Sequence, residues 1–130
     1  HPQANIDKMA SGHPLSDDDR RPWLANIAAW LAERSSDGAV VACSALKRIY
    51  RDQLRQACLD LVFVHLAGDR EVVIERVKAR AGHFMPASLV DSQYATLEPL
   101  AADEAGITLN FDASREELTN EAAAWLANLD

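Results

Sequence analysis

Three stretches of the chain gather residues whose types and spacing suit the binding of anions. In Cys43-Ser44-Ala45-Leu46-Lys47-Arg48-Ile49-Tyr50-Arg51, the cations Lys47, Arg51 and then Arg55 recur every four residues, so a helix would carry all three on one face. Such a cluster in an acidic chain suits a carboxylate or phosphate ligand, and equally suits a charged surface countered by Asp52. In Glu75-Arg76-Val77-Lys78-Ala79-Arg80, the two arginines are again four apart, beside a Gly82-His83-Phe84-Met85-Pro86 stretch that reads as a loop. Forked guanidinium donors at such an edge can clamp phosphates, while a solvated face with Glu75 as intrahelical partner accounts for the same charges. The third stretch is Asp17-Asp18-Asp19-Arg20-Arg21-Pro22-Trp23-Leu24. Three successive carboxylates can attract a divalent cation, but they lack the alternating oxygens and the glycine of a calcium loop. The positive end of a helix explains them more simply, and Arg20 and Arg21, which oppose that dipole, become functional candidates for the same reason. Among the histidines, His83 is the better functional candidate, with His13 read as loop and His65 as a satisfied strand residue. No C-x-x-C and no His pair at ligand spacing supports a metal site, and there is no nucleophile elbow or dinucleotide glycine motif.

The elements that must position these groups alternate in type. Ala39–Cys43, Leu61–Leu66 and Ile107–Phe111 are short apolar runs bounded by turn residues, the pattern of strands in a parallel sheet covered on both faces. Between them lie helical periodicities. Trp23, Leu24, Ile27, Trp30 and Leu31 form one buried stripe, with Pro22 in the first turn, the three aspartates just before it, and Gly38 closing the helix and opening the next strand. Further helices are predicted over about 46–58, from Asp69 to Arg80, over about 88–97, and from a Ser114 N-cap with Glu117 three residues on. The last carries Leu118, Ala122, Trp125, Leu126 and Leu129 as its apolar stripe. The alternation predicts an α/β fold in a single domain spanning 1–130.

Composition narrows the classes of partner. The 130 residues hold 20 Asp and Glu against 13 Lys and Arg, a net charge of −7, which argues against a nucleic-acid partner. No apolar run approaches the ~20 residues that span a bilayer, so no membrane partner is expected. Cys43 and Cys58 are too few for a disulfide scaffold and read as reduced thiols. The chain opens on His1 without an initiator Met or a signal pattern, which suggests a fragment or a processed product.

Taken together, the motifs resemble a known family. His1-Pro2, Asn5-Ile6-Asp7-Lys8-Met9-Ala10-Ser11-Gly12, Pro14-Leu15 and the Asp17–Leu24 stretch are similar to bacterial gluconokinases of the small thermoresistant type. So are Cys43–Lys47 with Tyr50–Arg55, Lys78-Ala79-Arg80, Gly82–Pro86, Ser88-Leu89, Ser92-Gln93 and Leu97-Glu98-Pro99-Leu100. The resemblance covers essentially the whole chain. It implies a three-layer P-loop kinase fold with a parallel sheet, and ATP-dependent phosphorylation of D-gluconate at its 6-hydroxyl with Mg²⁺, in a cytoplasmic protein of a kind that is often a homodimer. It implies Arg80 as a catalytic lid arginine that neutralises the transferring phosphoryl, and Arg76 beside adenine. It also places His83 in a lid of about 80–97, and His1, Arg20, Lys47 and Arg51 on the acceptor.

The family's G-x-x-x-x-G-K-[ST] loop, whose amides and lysine hold the phosphates, has no counterpart in these residues: none of Gly12, Gly38, Gly68, Gly82 or Gly106 precedes a lysine. The resemblance therefore implies an incomplete fold, with the opening strand, the P-loop and the Mg²⁺ ligands expected in an N-terminal segment outside the 130 residues. As written, the chain is expected to be inactive and poorly stable. Two other readings remain open: a binding module that holds a sugar acid without turnover, and a truncated product with no function of its own.

Overall fold

The computed structural model describes residues 1–80 and 86–129. Its elements run α1 (Gln3–Ala10), α2 (Asp17–Glu33), α3 (Arg48–Ala57), β1 (Phe63–Ala67), α4 (Arg70–Ala79), α5 (Leu89–Thr96), β2 (Gly106–Asn110) and α6 (Arg115–Ala127). They group into two compact units, one of His1–Leu61 with Arg70–Pro99, the other of Val62–Asp69 with Leu100–Asp130.

In the first unit, α2 begins earlier than the proline suggests. Ser16 accepts from the Asp19 N–H at 3.1 Å, and the Asp19 carboxylate accepts from the Ser16 N–H at 2.8 Å. This reciprocal cap starts the helix at Asp17, so the three aspartates form its first turn and Pro22 falls inside the helix rather than in the first turn. The cap and the acidic first turn offset the backbone hydrogen bond that Pro22 cannot donate. Trp23, Leu24, Ala28 and Leu31 face inward, whereas Trp30, assigned to the same stripe, is 39% exposed. α2 packs on α3, and Leu24 and Leu54 from these two helices are each about 1% exposed. Met9, Leu15 and Leu89 close a smaller apolar cluster.

The predicted strand at Ala39–Cys43 does not form. Gly38, at φ +83°, donates its N–H to the Arg34 carbonyl at 2.9 Å and ends the turn after α2, but the residues that follow join no ladder. Val40 is 95% exposed. Apolar composition alone does not make a strand, because each N–H and C=O needs a neighbouring strand. Among the described residues only β1 and β2 pair.

In the second unit those two strands pair in parallel, Phe63 opposite Gly106 through Ala67 opposite Asn110. The parallel pairing agrees with the α/β reading, with two strands in place of three. Just past β1, Gly68 lies under the Phe111 ring so closely that a Cβ there would sit 2.3 Å from a ring carbon. Only glycine permits that approach. α6 starts where the Ser114 hydroxyl accepts from the Glu117 N–H at 3.1 Å. Among the described residues no helix is long and apolar enough to cross a membrane.

Candidate functional site

The first turns of α2 and α3 meet in a small charged network. Lys47 immediately precedes α3, and Tyr50 follows three residues later on the same side. Lys47 Nζ donates to both oxygens of Asp17, at 3.1 and 3.3 Å, and the Tyr50 hydroxyl donates to Asp17 Oδ1. Arg20 Nη1 donates to the Tyr50 oxygen at 3.0 Å, with the guanidinium 5.4 Å from the centre of the phenol ring. Arg20 and Tyr50 are buried, while the Lys47 and Asp17 side chains keep 29% and 44% exposure. The network thus has a fixed interior and an open outer edge.

Its electrostatics follow from the contacts. The Tyr50 hydrogen bond, then Lys47, holds the Asp17 carboxyl below its ordinary range. The bond to Asp17 raises the Lys47 ammonium. Burial, reinforced by donation to Asp17, pushes the Tyr50 phenol up and keeps it protonated. Beside the network, Lys8 reaches Asp19 at 2.5 Å, and Asn5 Nδ2 donates to the Asp19 carbonyl at 2.9 Å, fastening α1 to the start of α2. Lys8 and the Ser16 N–H bring the Asp19 carboxyl down to about 2.

The other predicted site residues are placed as follows. Arg51 is 3% exposed, and its guanidinium donates to the carbonyls of Ala45 at 2.9 Å, Leu46 at 3.3 Å and Pro99 at 3.5 Å. Glu98 works alongside it: its N–H donates to the Leu46 carbonyl at 2.7 Å, and its carboxylate accepts from the Arg48 N–H at 2.9 Å. Arg51 and Glu98 therefore hold the backbone that presents Lys47. His1 stacks on Trp23, ring centres 3.9 Å apart, and with Asn26, Ile27, Trp30 and Val41 lines a shallow groove. Arg76 lines an open groove on α4 with Glu71, Val72, Glu75 and Ala79, and Arg80 lies exposed just beyond that helix. His83 and most of its loop lie outside the described residues. Of the four residues expected on the acceptor, then, the structure links Arg20 to Lys47, through Tyr50 and Asp17.

Sequence reasoning missed those two as site residues. By sequence, Asp17 is one of three helix-start acids, and Tyr50 is an uncharged residue inside the basic motif. The one available signal was the three-residue spacing, Asp17 to Arg20 and Lys47 to Tyr50, which puts each pair on one helical side.

The aspartates do not fit a Mg²⁺ site. Asp17 is held by Lys47 and Tyr50, Asp18 by Arg21 at 2.7 Å and Asp19 by Lys8. Among the described residues no three His, Cys, Asp or Glu converge on a point where an ion could sit. Burial pushes the Cys43 thiol up to about 11, which makes it a poor nucleophile and a poor ligand.

The fold of this chain is that of sugar kinases, as comparison with solved structures shows. The unliganded structure of a sugar kinase from Janibacter sp. matches it with a TM-score of 0.89 at 46% identity, covering 98% of this chain and 74% of that one. The gluconokinase of Gluconobacter oxydans is 52% identical over 106 residues, 80% of this chain and 60% of the relative. The probable gluconokinase of Schizosaccharomyces pombe is 45% identical over 130 residues, 93% of this chain and 67% of the relative. No family model matches. The chain belongs to the gluconokinase family. It spans about 60% of the length of the Gluconobacter relative.

Proposed function

We propose that this chain supplies the acceptor side of an ATP-dependent kinase that converts D-gluconate to 6-phospho-D-gluconate. The observation that carries the reading is the pairing of a buried Arg20 with a half-exposed Lys47 through Tyr50 and Asp17, an anchored cationic edge in a chain of net charge −7. A sugar acid offers that edge one carboxylate and several hydroxyls. Family membership supports gluconate as the acid.

Arg51 supports this edge from beneath, and His1 on Trp23 forms its neighbour along α2. Arg80, with Arg76 and His83, belongs to the nucleotide side: Arg80 spreads positive charge over the transferring phosphoryl group, and Arg76 lies against adenine. Cytoplasmic location and pairing into homodimers belong to the same proposal. ATP is the phosphoryl donor. Mg²⁺ would neutralise its phosphates, and the described residues give the ion no ligand set.

Phosphoryl transfer depends on positioning and charge stabilisation, and the 130 residues contain no G-x-x-x-x-G-K-[ST] loop. On this reading the purified 130-residue chain binds gluconate and does not phosphorylate it. Calorimetry with gluconate, together with a coupled assay containing ATP, Mg²⁺ and gluconate, tests both halves. Turnover by the chain would refute the inactivity, and a folded chain that takes no gluconate would refute the acceptor role.

A further inference from the structure

Resting on that acceptor-side reading, we infer that Glu98 is a positioning residue for Lys47: its side chain caps α3 from 50 residues away, and this hydrogen bond, rather than the charge, keeps Lys47 in place for a ligand. The inference starts from how poorly α3 is equipped to begin. The helix opens on Lys47 and Arg48, has no acidic residue in its first turn and takes no side-chain cap from its own sequence. Cations at the positive end of a helix carry a local cost, and the first N–H groups of a helix need acceptors. α2, by contrast, caps itself with Ser16 and starts on three aspartates. Left to its own residues, the start of α3 would fray, and Lys47 with it.

Glu98, two residues past α5, supplies what the helix lacks. Its carboxylate accepts from the Arg48 N–H at 2.9 Å, and its own N–H donates to the Leu46 carbonyl at 2.7 Å. The two bonds grip the backbone immediately after Lys47 and immediately before it. The Tyr50 and Arg51 N–H groups close the first turn on the Lys47 carbonyl, at 3.0 and 3.2 Å. That turn therefore forms on backbone which Glu98 holds. The charge of Glu98 is secondary: the Lys47 ammonium is raised first by its bond to Asp17, and Glu98 adds only a lesser push in the same direction.

A site whose binding arrangement is only partly populated binds its ligand more weakly, in proportion to that population. Loosening the start of α3 should thus weaken gluconate without altering Lys47, Arg20 or their partners Asp17 and Tyr50.

The test measures gluconate binding to the 130-residue chain by calorimetry and amide hydrogen exchange, residue by residue, by NMR. Far-UV circular dichroism establishes that each variant is folded. Glu98→Ala is expected to weaken gluconate about threefold to tenfold and to speed exchange at Arg48, Tyr50 and Arg51 by a similar factor, while Leu24 and Ala28 in α2 exchange as before. Glu98→Gln keeps an oxygen acceptor for the Arg48 N–H without the charge, and should hold both readouts within about twofold of the unaltered chain. The two readouts must move together in Glu98→Ala. Neither moving, or one moving alone, overturns the inference and leaves the acceptor-side reading standing. Glu98→Gln that exchanges normally but binds gluconate as poorly as Glu98→Ala also overturns it, because the charge would then be the active property. A folded, unaltered chain that takes no gluconate at about 10 mM overturns the acceptor-side reading, and the inference falls with it. Should the Ala variant not fold, Glu98→Asp shortens the reach by one methylene. Gluconate should then weaken in the same direction, and an unchanged affinity overturns the inference.

Discussion

Leu24 and Leu54, in α2 and α3, are about 1% exposed, whereas Val64 and Leu66 in β1 keep 39% and 52% of their surface in water. The first unit buries apolar side chains and also sets Arg20, Arg51 and Tyr50 into hydrogen-bonded positions beneath the surface. The second rests on a two-stranded parallel pair and one helix, whose Leu126 is 46% exposed, with Leu129 just beyond it at 45%. A strand pair alone is marginal in water, since it covers little apolar area. The comparison teaches that candidate chemistry sits where packing is dense enough to hold charged groups in place. The unit with poorer burial supplies none of the Asp17–Arg20–Lys47–Tyr50 network.

Substitutions can break or sharpen this contrast. The largest expected effect is Leu54→Ala, which opens a cavity in the α2–α3 contact and should cost about 3–4 kcal/mol in urea unfolding. Arg51→Met follows, at about 2–3 kcal/mol, because the carbonyls of Ala45, Leu46 and Pro99 lose their buried donor. Loss of gluconate binding should accompany it, as the segment bearing Lys47 loosens. Ser16→Ala removes the cap of α2 and should cost about 1 kcal/mol, read as a lower unfolding midpoint.

Acid should act through Asp19. Its carboxyl lies at about 2 in the folded chain against an ordinary 3.8, so its bond to Lys8 stabilises the fold fully above about pH 4. That contribution fades as pH falls through about 2. Thermal melts from pH 5 to 2 should show the decline, and Lys8→Met should flatten it. The smallest effect is Leu66→Ala in the second unit, at under about 0.5 kcal/mol, since the side chain is already half in water. A loss as large as that of Leu54→Ala would show that the two regions do not differ as their burial indicates.

Much of this was legible in the residues. Ser114 with Glu117 marked the start of α6, and the runs at 61–66 and 107–111 became β1 and β2 with small shifts at their ends. The run at 39–43 shows where such reading stops. It is as apolar as the other two, yet pairing depends on a neighbour, and no local pattern specifies one. Arg51 shows the same limit from the polar side. Its spacing from Lys47 and Arg55 suggests a shared ligand-facing surface, but its buried guanidinium donates to three backbone carbonyls. Nothing in a helical repeat indicates that a segment some 48 residues away will bring the Pro99 carbonyl within reach.

Local chemistry along the chain was enough to determine the helix starts, the α/β alternation and the family signature, because caps, periodicity and motifs act within a few residues. The partners of the charges were decided only by tertiary structure. Asp17 meets Lys47 and Tyr50 across 30 and 33 residues, and which cation is buried, which stays open and which carboxylate lies between them depend on how α2 packs against α3. Hydrogen bonds of that kind form only after distant backbone has been brought together, so composition can suggest an anion site but cannot say which of its cations will be free to meet a ligand.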